Sequence, residues 1–331
     1  MQSLISVVIP VFNERESLDA LISRLHPVLE QNTDGKFEVL FVDDGSRDGS
    51  GEILDALNAR DPRYKVIHLS RNFGHQSALQ AGLDVAEGRA VAMMDGDLQD
   101  PPELIGQFIE KWREGYEVVY AIRRTRGESL LKRAAYKTFY RTMKAIAEIN
   151  TPLDVGDFCL MDWRVVATLV SLRERNRFLR GLRSWVGFKQ IGIEYERHSR
   201  HAGTPKYTLR KLLSLALSGY IGFSSLPLRF AAWVGMFFAT AGFVLTLWAV
   251  VEKLRGPIAP QGWTSTVAII LFIGGIQLII LGVIGEYLGR VYDEVRQRPL
   301  YIVRSRAGFT HEGEQPIETV AELAARSATD K

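Results

Sequence analysis

The chain has 331 residues, 47% of them apolar and 24% charged, and its 41 Lys and Arg against 38 Asp and Glu leave a formal charge of +3 at neutral pH. That length is enough for about two domains whose core needs no cross-links, and the single Cys159 excludes an intramolecular disulfide framework. The average conceals a division: up to about residue 226 the sequence reads as soluble, and beyond it lie two long uncharged runs.

In chain order, LISVVIP (4–10) reads as a strand and residues 15–30 as a helix, followed by FEVLFVD (37–43) and a helix over 49–59. KVIHL (65–69), a helix over 76–86, AVAMMD (90–95), a helix over 102–114 and EVVYAI (117–122) continue the alternation. Strands alternating with helices imply a parallel α/β sheet, in which ligands bind beyond the carboxyl ends of the strands. The polar clusters NE (13–14), DDGS (43–46), RNFG (71–74) and DGD (95–97) all fall at those ends, so they should converge on one rim.

Residues 127–149 then place Leu, Ala, Phe, Met and Ile at helical spacing, with Lys132, Arg133, Lys137, Arg141 and Lys144 on the rest of the surface. That pattern suits a basic amphipathic helix in the membrane interface, or one packed on the protein itself. A second such segment, 209–223, leads into the uncharged runs Phe230–Val251 and Thr264–Gly285, of 22 residues each. At about 1.5 Å per residue each run is about 33 Å long, which matches a bilayer core. Two transmembrane helices are therefore expected over 227–290, with a C-terminal tail over 291–331. Lys206, Arg210, Lys211 and Arg229 precede the first run and Arg290, Arg296, Arg298, Arg304 and Arg306 follow the second, whereas the connecting loop holds only Lys253 and Arg255. The positive-inside bias then puts the domain over 1–226 and both termini in the cytoplasm.

MMDGDLQDPPE (93–103) crowds Asp95, Asp97 and Asp100 beside Gln99 behind an apolar run. Carboxylates so close repel one another unless a cation offsets them. A hard divalent ion, Mg²⁺ or Mn²⁺, held by Asp95 and Asp97 with substrate phosphates and a neutral oxygen from Gln99, fits that donor set. In VDDGSRDGS (42–50), Asp43 or Asp44 can accept from a base N–H or a ribose hydroxyl, and Asp48 can cap the following helix; the two readings are compatible. Neither a G-x-G-x-x-G nor a G-x-x-x-x-G-K-[ST] stretch is present, so a nucleotide would be read by acidic groups and a metal. Arg123, Arg124 and Arg126 follow the fifth strand and offer guanidinium forks for a phosphate, or a solvated cluster.

VVIPVFNE, VDDGSRDGS, RNFGHQSALQAGLDVAEG and MDGDLQDPPE, in that order, together with GDFCLMDWRV (156–165) and RHAGTPKY (200–207), resemble the family 2 glycosyltransferases of GT-A fold. The similarity is nearest to the polyprenyl-phosphate glycosyltransferases, a group with bactoprenol glucosyltransferases and dolichyl-phosphate mannose synthases, and it covers about residues 4–305. The resemblance implies a Rossmann-like nucleotide-sugar domain. Pro10, Asn13, Glu14, Asp43, Asp44 and Asp95 would serve the nucleotide, and Asp95, Asp97 and Gln99 the metal and diphosphate. Arg200 and Lys206 match a juxtamembrane loop that closes over the phosphates, and with Arg123 and Arg126 would hold the acceptor phosphate. Asp157 matches an acid facing the sugar, as a base or as an orienting group.

The implied reaction is inverting transfer of a hexose, glucose from UDP-glucose foremost, to a polyprenyl phosphate of undecaprenyl type at the cytoplasmic membrane face, with a homo-oligomer, a tetramer first, and no nucleic acid partner. Mannose, N-acetylhexosamine and amino-arabinose donors remain alternatives. So does a membrane sensor that binds a nucleotide sugar without turnover. A processive synthase fits less well, because RGLRSW (180–185) lacks the Gln of a Q-x-x-R-W motif.

Overall fold

The computed structural model describes residues 4–124, 155–196 apart from 173, 175 and 176, parts of 231–251, and 262–309. Strand β1 (Ile5–Val11) is buried at all seven positions, as expected of a strand covered on both faces. Its odd-numbered residues Ile5, Val7, Ile9 and Val11 enter one core cluster and Val8 the other, following the two-residue period of a strand. Helix α1 (Arg15–Thr33) lays Leu18, Leu21, Leu25 and Leu29 on the first face, beside Ile105, Phe108 and Ile109 of α4 (Leu104–Arg113). The second face is covered by α3 (His75–Leu83), α5 (Trp163–Ser171) and α6 (Leu179–Trp185), through Leu79, Leu83, Val165, Leu169, Leu179 and Leu182. The result is a three-layer sandwich.

The remaining strands are β2 (Phe37–Asp43), β3 (Tyr64–Leu69), β4 (Ala90–Met93), β5 (Val118–Arg124), β6 (Val155–Asp162), β7 (Gln190–Glu196) and β8 (Val303–Ala307), with α2 (Ser50–Arg60) between β2 and β3. They form one eight-stranded sheet in the order β7-β5-β6-β4-β1-β2-β3-β8. The alternation of elements predicts a parallel sheet, and β1, β2, β3 and β4 obey it. The sheet as a whole is mixed, because β6 runs antiparallel between β4 and β5. That strand sends Phe158 and Leu160 to one core face and Cys159 and Met161 to the other, so it is an interior strand.

A second departure concerns the segment expected to be a tail, since β8 pairs antiparallel with β3, with Val66 opposite Ala307 and Leu69 opposite Val303. Before it, α7 (Trp263–Val295) runs for 33 residues, about 50 Å. Its stretch Phe272–Val295 is the one helix among the described residues long and apolar enough to cross a membrane, where two were expected. Phe272, Leu278, Ile279, Leu281 and Leu288 all stand exposed on it. Part of the other expected span forms a shorter apolar helical stretch, Trp233–Val244. The amphipathic segments 127–149 and 209–223 lie outside the described residues.

Candidate active site

Met93 of β4 pairs with Cys159 of β6, so two residues further toward the rim Asp95 and Asp157 come to one level. Asp95 lines a cleft of about 350 Å³ together with, among others, Pro10, Glu14, Asp44, His75 and Asp97. Asn13, Asp43, Gln99 and Asp157 are not among its lining residues, and Asp157 meets the cleft through His75. A larger cleft of about 650 Å³ along the α1–α4 seam contains none of the expected site residues.

The loops around this cleft are tied by polar contacts. Asn13 takes the left-handed conformation at φ 56°, one that Asn tolerates. Its Oδ1 accepts from the Arg47 amide at 2.9 Å, and its own amide donates to Ser46 Oγ at 3.0 Å. Asp44 accepts from the amides of Phe73 and Gly74 at 2.7 and 2.9 Å, which fastens the RNFG loop to the end of β2. Burial pushes its carboxyl up and those amides only partly offset the rise. Gly45 has φ +73°, and a Cβ there would lie 2.8 Å from the Arg71 carbonyl carbon, so both conformation and space demand glycine.

Asp43 is buried and faces His68, whose Nδ1 lies 3.0 Å from Oδ2, while the Ser46 amide donates to Oδ1 at 2.8 Å. Burial opposes its charge, yet the hydrogen bonds from His68 and Ser46 prevail and hold the carboxyl below its usual range. The hydrogen bond with Asp43, aided by Asp55 at 3.0 Å from Nε2, raises His68 to about 9 against the opposing effect of burial.

In the DGDLQD turn, Leu98 is buried at φ 58°, a strained conformation for a bulky side chain and one that tends to be kept at functional sites. Ser17 Oγ donates to the Gly96 carbonyl at 3.0 Å, the Gln99 amide donates to Asp97 Oδ1 at 3.2 Å, and Tyr195 Oη donates to buried Asp100. Gln99 is itself buried. Desolvation, joined by the charges of Asp100, Asp157 and Asp97, pushes Asp95 up to about 6 although His75 opposes it. A desolvated surplus of carboxylates fits a hard divalent cation. Among the described residues no cluster of three or more His, Cys, Asp or Glu is arranged to hold a metal. The set instead suits an ion shared between Asp95, Asp97 and a substrate diphosphate.

Three residues beyond those expected surround Asp157. His75 Nε2 lies 3.5 Å from both Asp95 Oδ1 and Asp157 Oδ2. Gln76 Nε2 donates to Asp157 Oδ2 at 3.3 Å while its Oε1 accepts from the Leu179 amide at 3.0 Å. Arg180 grips the same carboxylate from Nε to Oδ1 at 3.2 Å and from Nη2 to Oδ2 at 3.0 Å. Burial raises Asp157, but His75 and Arg180 outweigh it and hold the group far below the usual carboxylate range. Burial lowers His75, and its two carboxylate neighbours more than compensate. The only local hint was the polar pair His75–Gln76 at the start of a predicted helix, inside RNFGHQSALQ.

Arg123 and Arg124 end β5, with backbones opposite Tyr195 and Glu196 of β7 at the same rim. Arg126, Arg200 and Lys206 lie outside the described residues.

The model of glycosyl transferase family 2 matches residues 6–169, and that of the GtrB C-terminal hairpin matches 226–291. An uncharacterized glycosyltransferase, YkcC of Bacillus subtilis, is 48% identical over 92% of this chain and 94% of its own length. A prophage-derived bactoprenol glucosyl transferase of Shigella flexneri is 41% identical over 91% and 97%. Glucosyl-3-phosphoglycerate synthase of Mycobacterium tuberculosis, solved with Mn²⁺ and UDP, aligns at a TM-score of 0.43 and 17% identity over 66% of this chain and 78% of that one.

Proposed function

The chain belongs to glycosyltransferase family 2, and from that premise we propose that it transfers a hexose, glucose from UDP-glucose foremost, to a polyprenyl phosphate at the cytoplasmic face of a membrane. The observation that carries this reading is the meeting of Asp95 and Asp157 with His75 and Arg180, beside Asp97, at the carboxyl rim of a sheet whose edge strand β8 comes soon after an exposed apolar helix. The match to the GtrB C-terminal hairpin supports a second span over 226–291. The relatives of Shigella support the lipid acceptor.

In the transfer, an oxygen of the acceptor phosphate attacks the anomeric carbon as the bond from that carbon to the diphosphate breaks, and UDP leaves with the electron pair. A phosphate monoester is mostly dianionic at neutral pH, so no protein base has to take a proton. Asp95 and Asp97 would hold Mg²⁺ or Mn²⁺, which when bound supplies charge to the departing diphosphate. Asp44 keeps the RNFG loop seated over the nucleotide side of the cleft. Asp157 orients the residues around it, Arg123, Arg126, Arg200 and Lys206 are assigned to the acceptor phosphate, and a single displacement inverts the anomeric centre.

The test is purified protein with UDP-glucose, Mg²⁺ and polyprenyl phosphate, followed by a panel of other nucleotide sugars. Lipid-dependent release of UDP with formation of an inverted glycolipid is expected. Tight nucleotide binding with no UDP release from any donor would refute transfer and favour the sensor.

A further inference from the structure

Asp157 is a heavily engaged carboxylate at the rim. It receives Gln76 Nε2, Arg180 Nε and Arg180 Nη2 within 3.3 Å, and His75 Nε2 stands at 3.5 Å. A carboxylate offers about four lone-pair directions, and a general base needs one free to meet the proton it takes. Four nitrogens from three side chains surround these two oxygens, so Asp157 is built to hold other groups in place.

The group it holds most firmly is Arg180. A guanidinium carries five N–H donors in a rigid fork. Asp157 takes one from Nε and one from Nη2, along a single edge of the fork. The guanidinium carbon lies over the ring of Phe178, 5.4 Å from its centroid. Asp157 leaves three of the N–H donors, and the side chain is 33% exposed. An arginine locked by a carboxylate along one edge and still a third exposed is preorganised to accept a tetrahedral oxyanion at little entropic cost.

Resting on the glycosyl-transfer reading, we propose that Arg180, positioned by Asp157, is an anion-binding residue of this site that receives a phosphate group of one of the two substrates. The shared chemistry is a phosphate oxyanion. The donor diphosphate and the acceptor monophosphate are its two sources, and they are separable by experiment.

The full-length protein in lipid nanodiscs is compared with Arg180→Gln and Arg180→Lys. KM is measured for UDP-glucose and for polyprenyl phosphate, binding for UDP and for uridine, and thermal midpoint for each variant. Arg180→Gln is expected to raise KM for the phosphate it holds about tenfold or more, the scale of a lost charge-assisted pair, with Arg180→Lys recovering part of the loss. A rise confined to polyprenyl phosphate, with UDP binding unchanged, supports the proposal and assigns the acceptor. Weaker UDP binding with unchanged uridine binding supports it and assigns the donor. Unchanged values for both substrates would overturn it. A parallel fall in uridine binding and thermal midpoint would overturn it too, because that marks a purely structural ion pair. Should the wild type release no UDP with any donor, the transfer reading falls, while the UDP–uridine comparison still decides whether Arg180 binds an anion.

Discussion

The edge strand β8 lies far from the cleft in sequence, yet it braces the loop that forms one of its walls. The Ser70 amide donates to the Ile302 carbonyl at 2.9 Å, immediately before the Arg71–Gly74 loop whose amides hold Asp44. Tyr301, partly buried, packs on the cluster of Val42, Ile67, Leu69, Ala78 and Ala81, and its hydroxyl donates to Asp84 at 2.6 Å. Tyr301→Ala removes both contacts. A fully buried aromatic truncated to Ala costs about 3–5 kcal/mol, and half-burial reduces that to about 2. The hydrogen bond adds about 1, since Asp84 is exposed and water replaces the hydroxyl. A loss of about 3 kcal/mol corresponds to a fall of about 6–12 °C in thermal midpoint for a domain of this size. Local opening of the strand should also weaken UDP binding by releasing the loop. Differential scanning fluorimetry and calorimetric UDP titration of the full-length protein test both. A variant with an unshifted midpoint and unchanged UDP affinity would show that the strand merely rests on the domain. The same coupling predicts that removing everything from Leu228 onward, which strips β8 from β3, leaves a sheet domain with impaired nucleotide binding.

Asp97→Ala should lower transfer by more than about 100-fold and abolish the Mg²⁺ or Mn²⁺ dependence of UDP binding, with little change in melting; a near-normal, metal-dependent rate would remove Asp97 from the site. Gly45→Ala forces a Cβ to within 2.8 Å of Arg71 backbone at φ +73° and should cost about 2–4 kcal/mol in denaturant titrations, where a neutral outcome would disprove the tight turn. His68, raised to about 9 from a value of 6.5, stabilises the folded state fully below about pH 6.5, and that contribution is lost as pH rises through about 9. Wild type should therefore lose on the order of 2 kcal/mol more than His68→Gln between those limits, and parallel curves for the two proteins would show that the Asp43–His68–Asp55 pairing is energetically idle.

The βα alternation through β5 was legible because each element carries its own period, and α1 shows it plainly in Leu18, Leu21, Leu25 and Leu29. The antiparallel strand β6 was not, because GDFCLMD is apolar on both faces and gives no direction of travel. Nor was β8, in which Arg304 and Arg306 stand exposed on an outer edge and read as polar tail. Asp95 and Asp97 stood out because the clash of like charges is local in sequence, and both line the cleft. Asp43 was expected at the site, but it is not among the residues lining the cleft, and its partner His68 lies one strand away.

The residues that escaped the sequence reading share a physical trait: their partners are close only in the folded chain. Gln76 reaches Asp157 across 81 positions and Arg180 reaches it across 23, so no spacing within either segment announces the contact. Arg180 attracted notice only as the first letter of an incomplete Q-x-x-R-W stretch, and its register on α6 is what sets it over β6. A carboxylate motif states that a cation is wanted. The fold decides which cation arrives, and at Asp157 the arriving cations, Arg180 and His75, belong to the protein. Two neighbouring acidic groups on one rim therefore differ in environment: Asp157 is held ionised by His75 and Arg180, whereas desolvation and nearby carboxylates raise Asp95.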